Sequence, residues 1–159
     1  MSALRGKFLE NDFSHDKNTD TVDHIIDNVY FGSCKSALEV VEGRPDIKYI
    51  LNLSQYTLQA PEKIIMKLKI DDHPKFPIDQ YFDISHRFIN EAKQNKSGVL
   101  IHCFAGFSRS PTIVISYLMK YHKMAFEDAY TYVSNKRVVC PNPGFIEKLK
   151  ELSSKLICK

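Results

Sequence analysis

Val99-Leu100-Ile101-His102-Cys103-Phe104-Ala105-Gly106-Phe107-Ser108-Arg109-Ser110-Pro111 reads as a buried strand, a tight loop and the start of a helix. Three successive aliphatic residues suit a strand covered on both faces. Pro111 fits a first helical position, where a missing N–H is no loss. Thr112 to Met119 behind it is apolar nearly all round, as in a core helix. A strand that feeds a helix through a short loop is half of a parallel-sheet unit, and this stretch therefore predicts an α/β fold.

The loop inside that unit carries chemistry. A helix N-terminus presents unpaired N–H groups and a positive partial charge. A loop curled above it aims successive backbone N–H groups at one point and makes an anion nest. Gly106 admits a backbone conformation that other residues resist. Five residues separate Cys103 from Arg109, enough chain to wrap one phosphate. Arg109 offers two parallel donors to its oxygens, and the same field favours a thiolate at Cys103, the form that acts as nucleophile. Ser110 is placed to hydrogen-bond the sulfur. A lone cysteine after a strand is ordinarily a small buried hydrophobe, and a lone arginine ordinarily a solvated charge. The combination with Gly106, Ser108 and Ser110 in one strand-loop-helix context favours the phosphate loop.

Outward from this unit the two periods alternate. Ile25, Ile26, Val29, Tyr30 and Phe31 mark a strand pair closed by Gly32-Ser33, and Ser36 to Glu42 a short helix with Gly43 as a C-terminal glycine. Tyr49 to Leu53 is a buried strand. Met66, Leu68 and Ile70 alternate with Lys67 and Lys69, which predicts a half-buried strand over 66–70. Pro77 is placed as a first helical residue, with Ile78, Tyr81, Phe82, Ser85, Phe88, Ile89 and Ala92 on one face. Phe126, Ala129, Tyr130 and Val133 mark a further helix; Pro143 opens the last, with Phe145, Leu149, Leu152 and Leu156 along it. Ligand sites in such folds lie beyond the carboxyl ends of the strands, here the loops after Ile70 and Ile101.

The 159 residues suffice for one domain with one sizeable core. A hydrophobic fraction of 43% and a charged fraction of 26% describe a soluble globular chain, and a net charge of +3 suits an anionic substrate without the basic density of a nucleic-acid binder. Cys34, Cys103, Cys140 and Cys158 are widely spread, with no metal-ligand spacing. Reduced thiols are expected, and with them a cytoplasmic location, with the nucleus as alternative. No membrane span, signal peptide or lipidation box is visible, so no membrane anchor is expected. Residues 1–21 are polar and aperiodic and read as a flexible arm, or as a segment packed through Phe8, Leu9 and Phe13; the globular domain is placed at 22–159. His15, His24, His73, His86 and His122 form no ligand pattern and read as surface residues.

His102-Cys103-x5-Arg109-Ser110 resembles the signature loop of the cysteine-based protein tyrosine phosphatases, and HCFAGFSRS the HCxxGxSRS form of their small, atypical dual-specificity branch. Three further segments are similar to the family. They are Val22 to Ser33 (VDHIIDNVYFGS, with Phe31 where leucine is usual), Ile50-Leu51-Asn52-Leu53, and Pro141-Asn142-Pro143-Gly144-Phe145. The resemblance spans about residues 22 to 157.

It implies a single α/β domain with a mostly parallel central sheet of about five strands flanked by helices. It implies hydrolysis of phosphotyrosine, phosphoserine and phosphothreonine in protein substrates through a phosphocysteine, with no metal or organic cofactor. By the same resemblance Cys103 is the nucleophile, Arg109 and the backbone of Phe104, Ala105, Gly106, Phe107 and Ser108 hold the phosphate, and Ser110 assists the sulfur as leaving group. His102 and Asn142 support the loop, Asn142 through backbone contacts. The general acid falls at Asp72, with Asp71 as runner-up. Nothing resembles the long recognition loop of the tyrosine-specific branch, so a shallow pocket is expected. Phe104 and Phe107 form either an apolar rim for a peptide or packing against neighbouring loops. Two rival functions stand beside this one: a silent phosphopeptide-binding module, and a phosphatase for an RNA 5′ end, a glucan or a phosphoinositide. No nucleic-acid partner is expected.

Overall fold

A computed structural model describes residues 22–157. The chain runs β1 (Asp23–Ile26), β2 (Val29–Gly32), α1 (Cys34–Gly43), β3 (Ile47–Asn52), β4 (Ile64–Lys67), a 3-10 turn (Ile78–Tyr81), α2 (Phe82–Gln94), β5 (Gly98–His102), α3 (Arg109–Tyr121), α4 (Phe126–Ser134) and α5 (Pro143–Ile157). The strands form one sheet in the order β1-β2-β5-β3-β4. Only the β1–β2 hairpin is antiparallel; β2–β5, β5–β3 and β3–β4 are parallel. The expected α/β architecture with its five-stranded, mostly parallel sheet is what the chain adopts.

Alternation along the strands sorts the side chains into two layers. From β5 and its end, Val99, Ile101 and Cys103 join the larger core with Ile113, Val114, Leu118, Phe88 and Ile89 of α2 and α3. Leu100 points the other way, to Ala37 and Val40 of α1 with Ile47, Ile50 and Leu58. Helix α1 therefore covers one face and the remaining helices the other. Because β5 lies between β2 and β3 with both faces covered, the loop leaving it opens at the carboxyl edge of the sheet centre, where such folds bind ligands.

Several boundaries differ from the sequence expectation. Helix α1 begins at Cys34 because Ser33 and Ser36 form a reciprocal cap: Ser36 N donates to Ser33 Oγ and Ser33 N to Ser36 Oγ. Gly43 is its last helical residue and keeps an ordinary φ; the chain leaves the helix through Arg44. Strand β4 ends at Lys67, and 68–70 continues without a ladder. Leu68 and Ile70 are still buried, so the alternation reported burial correctly and pairing incorrectly. Pro77 precedes a 3-10 turn, and α2 starts only at Phe82. Helix α3 starts at Arg109, two residues before Pro111. The proposed arm, residues 1–21, and Cys158 lie outside the described residues.

His86 corrects the reading of the histidines. It is 1% exposed, with Nε2 2.8 Å from Ser116 Oγ. Since Ser116 gives its own proton to Ile113 O at 2.6 Å, His86 Nε2–H is the donor. The ring packs among Phe82, Tyr117 and Tyr121, and burial pushes its pKa down to about 4.

Candidate active site

Cys103 follows β5 directly and is 2% exposed. The next residues curl into a turn in which Gly106 has φ +73, the left-handed region that glycine enters without strain. Outside the curl, one carbonyl after another is held. Cys34 Sγ donates to Cys103 O at 3.3 Å, and Cys34 N to Phe104 O at 2.9 Å. Arg137 Nη2 donates to Ala105 O at 2.9 Å, and Cys140 N to Phe107 O at 2.8 Å. Thr112 N and Oγ1 both donate to Ser108 O as α3 begins. A trans peptide points its N–H opposite to its C=O. Carbonyls held outward therefore aim the N–H groups of residues 104, 105, 106 and 108 inward, toward the space above Cys103. The nest is built from its back.

Arg109 Nη1 donates to Leu53 O at 3.2 Å and Ile70 O at 3.3 Å. Its Nε is buried and unpartnered among the described residues, a donor that an anion in the curl would satisfy. Ser110 Oγ lies 3.4 Å from Cys103 Sγ and 3.3 Å from Gly32 O, so it has the sulfur within reach. His102 is fully buried; its Nδ1–H faces Cys103 O at 3.3 Å, and burial pushes its pKa down to about 4, so the ring is neutral. Burial also pushes the Cys34 thiol up to about 12, which keeps its proton in place as a donor to the loop.

Across the curl lies the loop after Ile70. Asp72 Oδ1 accepts from Asn142 Nδ2 at 2.9 Å, and Asn142 N donates to Ser108 Oγ at 3.0 Å. Asn142 Oδ1 meanwhile caps α5 by accepting from Phe145 N at 3.0 Å. One residue thus joins the acid loop, the phosphate loop and a helix start. Beside it Gly144 has no Cβ because Pro74 O occupies that place. The structure brings together Cys103, Arg109, Ser110, Asp72 and Asn142. It gives Asp72, not Asp71, the side-chain link to the curl.

The two phenylalanines part company: Phe104 is half-buried against the ring of Tyr56, with centroids 5.9 Å apart, whereas Phe107 is 39% exposed on the rim. The sequence reading missed Asp23 and Arg137, and it gave Cys34 no part in holding the loop. Arg137 sits in a polar stretch between two helices, and nothing in the pattern separates it from a solvated charge. No cluster of three His, Cys, Asp or Glu side chains gathers among the described residues.

Comparison with known proteins agrees with this geometry. The family described as "Dual specificity phosphatase, catalytic domain" matches residues 29–155. The chain belongs to that family. Dual specificity protein phosphatase 1 of Arabidopsis thaliana is 37% identical over 142 residues, 86% of this chain and 72% of that protein. Tyrosine-protein phosphatase vhp-1 of Caenorhabditis elegans is 35% identical over 144 residues, 87% of this chain but 22% of its own length. The dual specificity phosphatase domain thus spans well under half of several curated relatives. Among solved structures, the human tyrosine phosphatase-like serine/threonine/tyrosine-interacting protein superposes with a TM-score of 0.80 at 28% identity, covering 86% of this chain and 97% of that one.

Proposed function

We propose that this domain is a protein phosphatase that hydrolyses phosphotyrosine, phosphoserine and phosphothreonine monoesters. The observation that carries the reading is the pairing of a buried nucleophile with a back-braced nest: Cys103 Sγ lies under inward N–H groups, beside an arginine whose buried Nε lacks an acceptor.

The thiolate of Cys103 attacks phosphorus. An S–P bond forms, the P–O bond to the leaving group breaks, and protonated Asp72 supplies the proton to that oxygen. Water then attacks phosphorus, giving its proton to Asp72. The S–P bond breaks, releasing phosphate and returning the thiolate, which Ser110 stabilises. Arg109 and the loop N–H groups hold the equatorial oxygens through both steps. Curated relatives carry phosphatase names, which supports this reading over a silent phosphopeptide module, as does the joint presence of Cys103, Arg109 and Asp72. The variable positions of the curl, Phe104, Ala105, Phe107 and Ser108, carry no lysine or arginine, which favours a peptide over a polyphosphorylated lipid headgroup.

The test is hydrolysis of a small aryl phosphate in chelator at mildly acidic pH, followed by phosphotyrosine and phosphothreonine peptides. Turnover by wild type and none by Cys103→Ser is the expected result. An inert wild type that still binds phosphopeptides would hand the site to the binding-module reading.

A further inference from the structure

Behind the phosphate loop lies a cation that the signature motif does not account for. The side chain of Arg137, between α4 and α5, is 0% exposed. A guanidinium so buried needs a close counter-charge. Asp23 in β1 supplies the charge, with Oδ2 3.0 Å from Nη1, and Ala105 O takes the bond from Nη2. Gly106 lies directly against the same group: a Cβ there would fall 2.6 Å from Nε. One side chain therefore fixes the peptide between Ala105 and Gly106 from behind. No cis peptide occurs among the described residues, so holding Ala105 O outward turns Gly106 N–H toward the anion.

Of the described groups that hold this loop's carbonyls, Arg137 is the charged one, and its anchor, Asp23, lies far away in the sequence. We propose that Arg137, oriented by Asp23, is a positioning residue that aims the Gly106 N–H and so sets how tightly the loop holds a tetrahedral oxyanion. The proposal rests on the phosphate-loop reading but not on turnover. It differs from a merely structural ion pair in one respect. An apolar pair of similar size can replace a buried ion pair without loss of stability, yet it cannot pull on Ala105 O. Lysine at 137 keeps the charge for Asp23 but lacks the planar fork that reaches both partners.

The experiment titrates inorganic tungstate, a tetrahedral oxyanion, onto the Cys103→Ser chain by calorimetry, so that no turnover is involved. The same titration follows on Cys103→Ser carrying Asp23→Leu with Arg137→Met, and on Cys103→Ser carrying Arg137→Lys. Urea unfolding is recorded for each. The expected result is a double replacement that unfolds near the parent midpoint but binds tungstate at least about tenfold more weakly, as for a lost oxyanion donor. Arg137→Lys is expected to weaken binding severalfold while staying folded, which keeps the test valid should the apolar pair not fold. With Cys103 restored, both changes raise KM for an aryl phosphate. Tungstate affinity equal to the parent in a folded Arg137→Lys chain overturns the proposal. No tungstate binding by the Cys103→Ser parent itself overturns the phosphate-loop reading instead.

Discussion

The phosphate loop and the acid loop face one another, yet the protein holds them by different means. The first is largely buried, apart from Phe107 on its rim, and is gripped from behind by α1, by α3 and by the segment between α4 and α5, through hydrogen bonds to its own carbonyls. The second, residues 71–75, is exposed along its length. It rests on short-range turns, on the fit of Pro74 over Gly144, and on one side-chain bond from Asn142 to Asp72. Binding of the anion is thus preorganised in backbone that has nowhere else to go. On the proposed assignment, delivery of the proton by Asp72 depends on a surface hydrogen bond in competition with water. Damage to the first loop should abolish function, whereas damage to the second should grade with how much the leaving group needs a proton.

The largest effect belongs to the buried loop. Cys103→Ser removes the proposed nucleophile and is expected to cost more than about 10⁴-fold in kcat on every substrate, good leaving group or poor. Arg109→Lys, which keeps charge and loses the fork, should cost about 10²-fold or more, again regardless of leaving group. Steady-state kinetics on a series of aryl phosphates of graded leaving-group acidity checks both. A dependence on leaving group in either variant would blur the division between the loops.

The acid loop should behave otherwise. Asp72→Ala is expected to lower kcat about 10²- to 10³-fold for a poor leaving group and little for a good one. Asp71→Ala should change neither by more than about twofold. If Asp71→Ala proves the damaging change, the acid has been assigned to the wrong member of the pair. Asn142→Ser is a finer probe. Serine still caps α5 and its backbone N–H still meets Ser108, but its side chain is too short to reach Asp72. An expected loss of about tenfold in kcat, confined to poor leaving groups and with unchanged tungstate binding, would isolate the tether. An equal loss for all leaving groups would mean that Asn142 acts on the phosphate loop instead.

The difference between the loops also explains what the sequence could reveal. Cys103, Gly106 and Arg109 were legible because strand, loop and helix start are contiguous, and each residue type has one physical use there. The sheet was legible for a similar reason: Tyr49 to Leu51 and Val99 to Ile101 are buried on both faces and show it as unbroken apolar runs. The resemblance put Asp72 ahead of Asp71, but the bond that ties Asp72 to Asn142, 70 residues away, shows only in three dimensions. Arg137 and Asp23 lie 114 positions apart, each looking like an ordinary charge until the fold buries them together. His86 was within reach of the pattern. Phe82, Ser85, His86 and Ile89 fall at the three- and four-residue spacings of one helical face, and a polar residue on that face was read as an exception to it.

The last prediction touches stability rather than turnover. His102 lies under the phosphate loop and His86 between α2 and α3, both buried and both with pKa pushed down to about 4. The unfolded chain takes up these protons near pH 6.5, the folded chain only near 4. Between those values the unfolded state binds more protons, so stability rises with pH across the window and is lost as pH falls through it. From pH 7 to pH 5 the two rings together should cost on the order of 4 kcal/mol. His86→Gln should remove about half of that sensitivity and leave kcat at pH 7 unchanged, since His86 touches no group of the site. Urea unfolding of both proteins at the two pH values measures the difference. A wild-type midpoint that does not move would mean that the rings find acceptors on protonation. The footing of the phosphate loop would then be as yielding as the acid loop opposite, and the contrast between the two would fail where it is drawn most sharply.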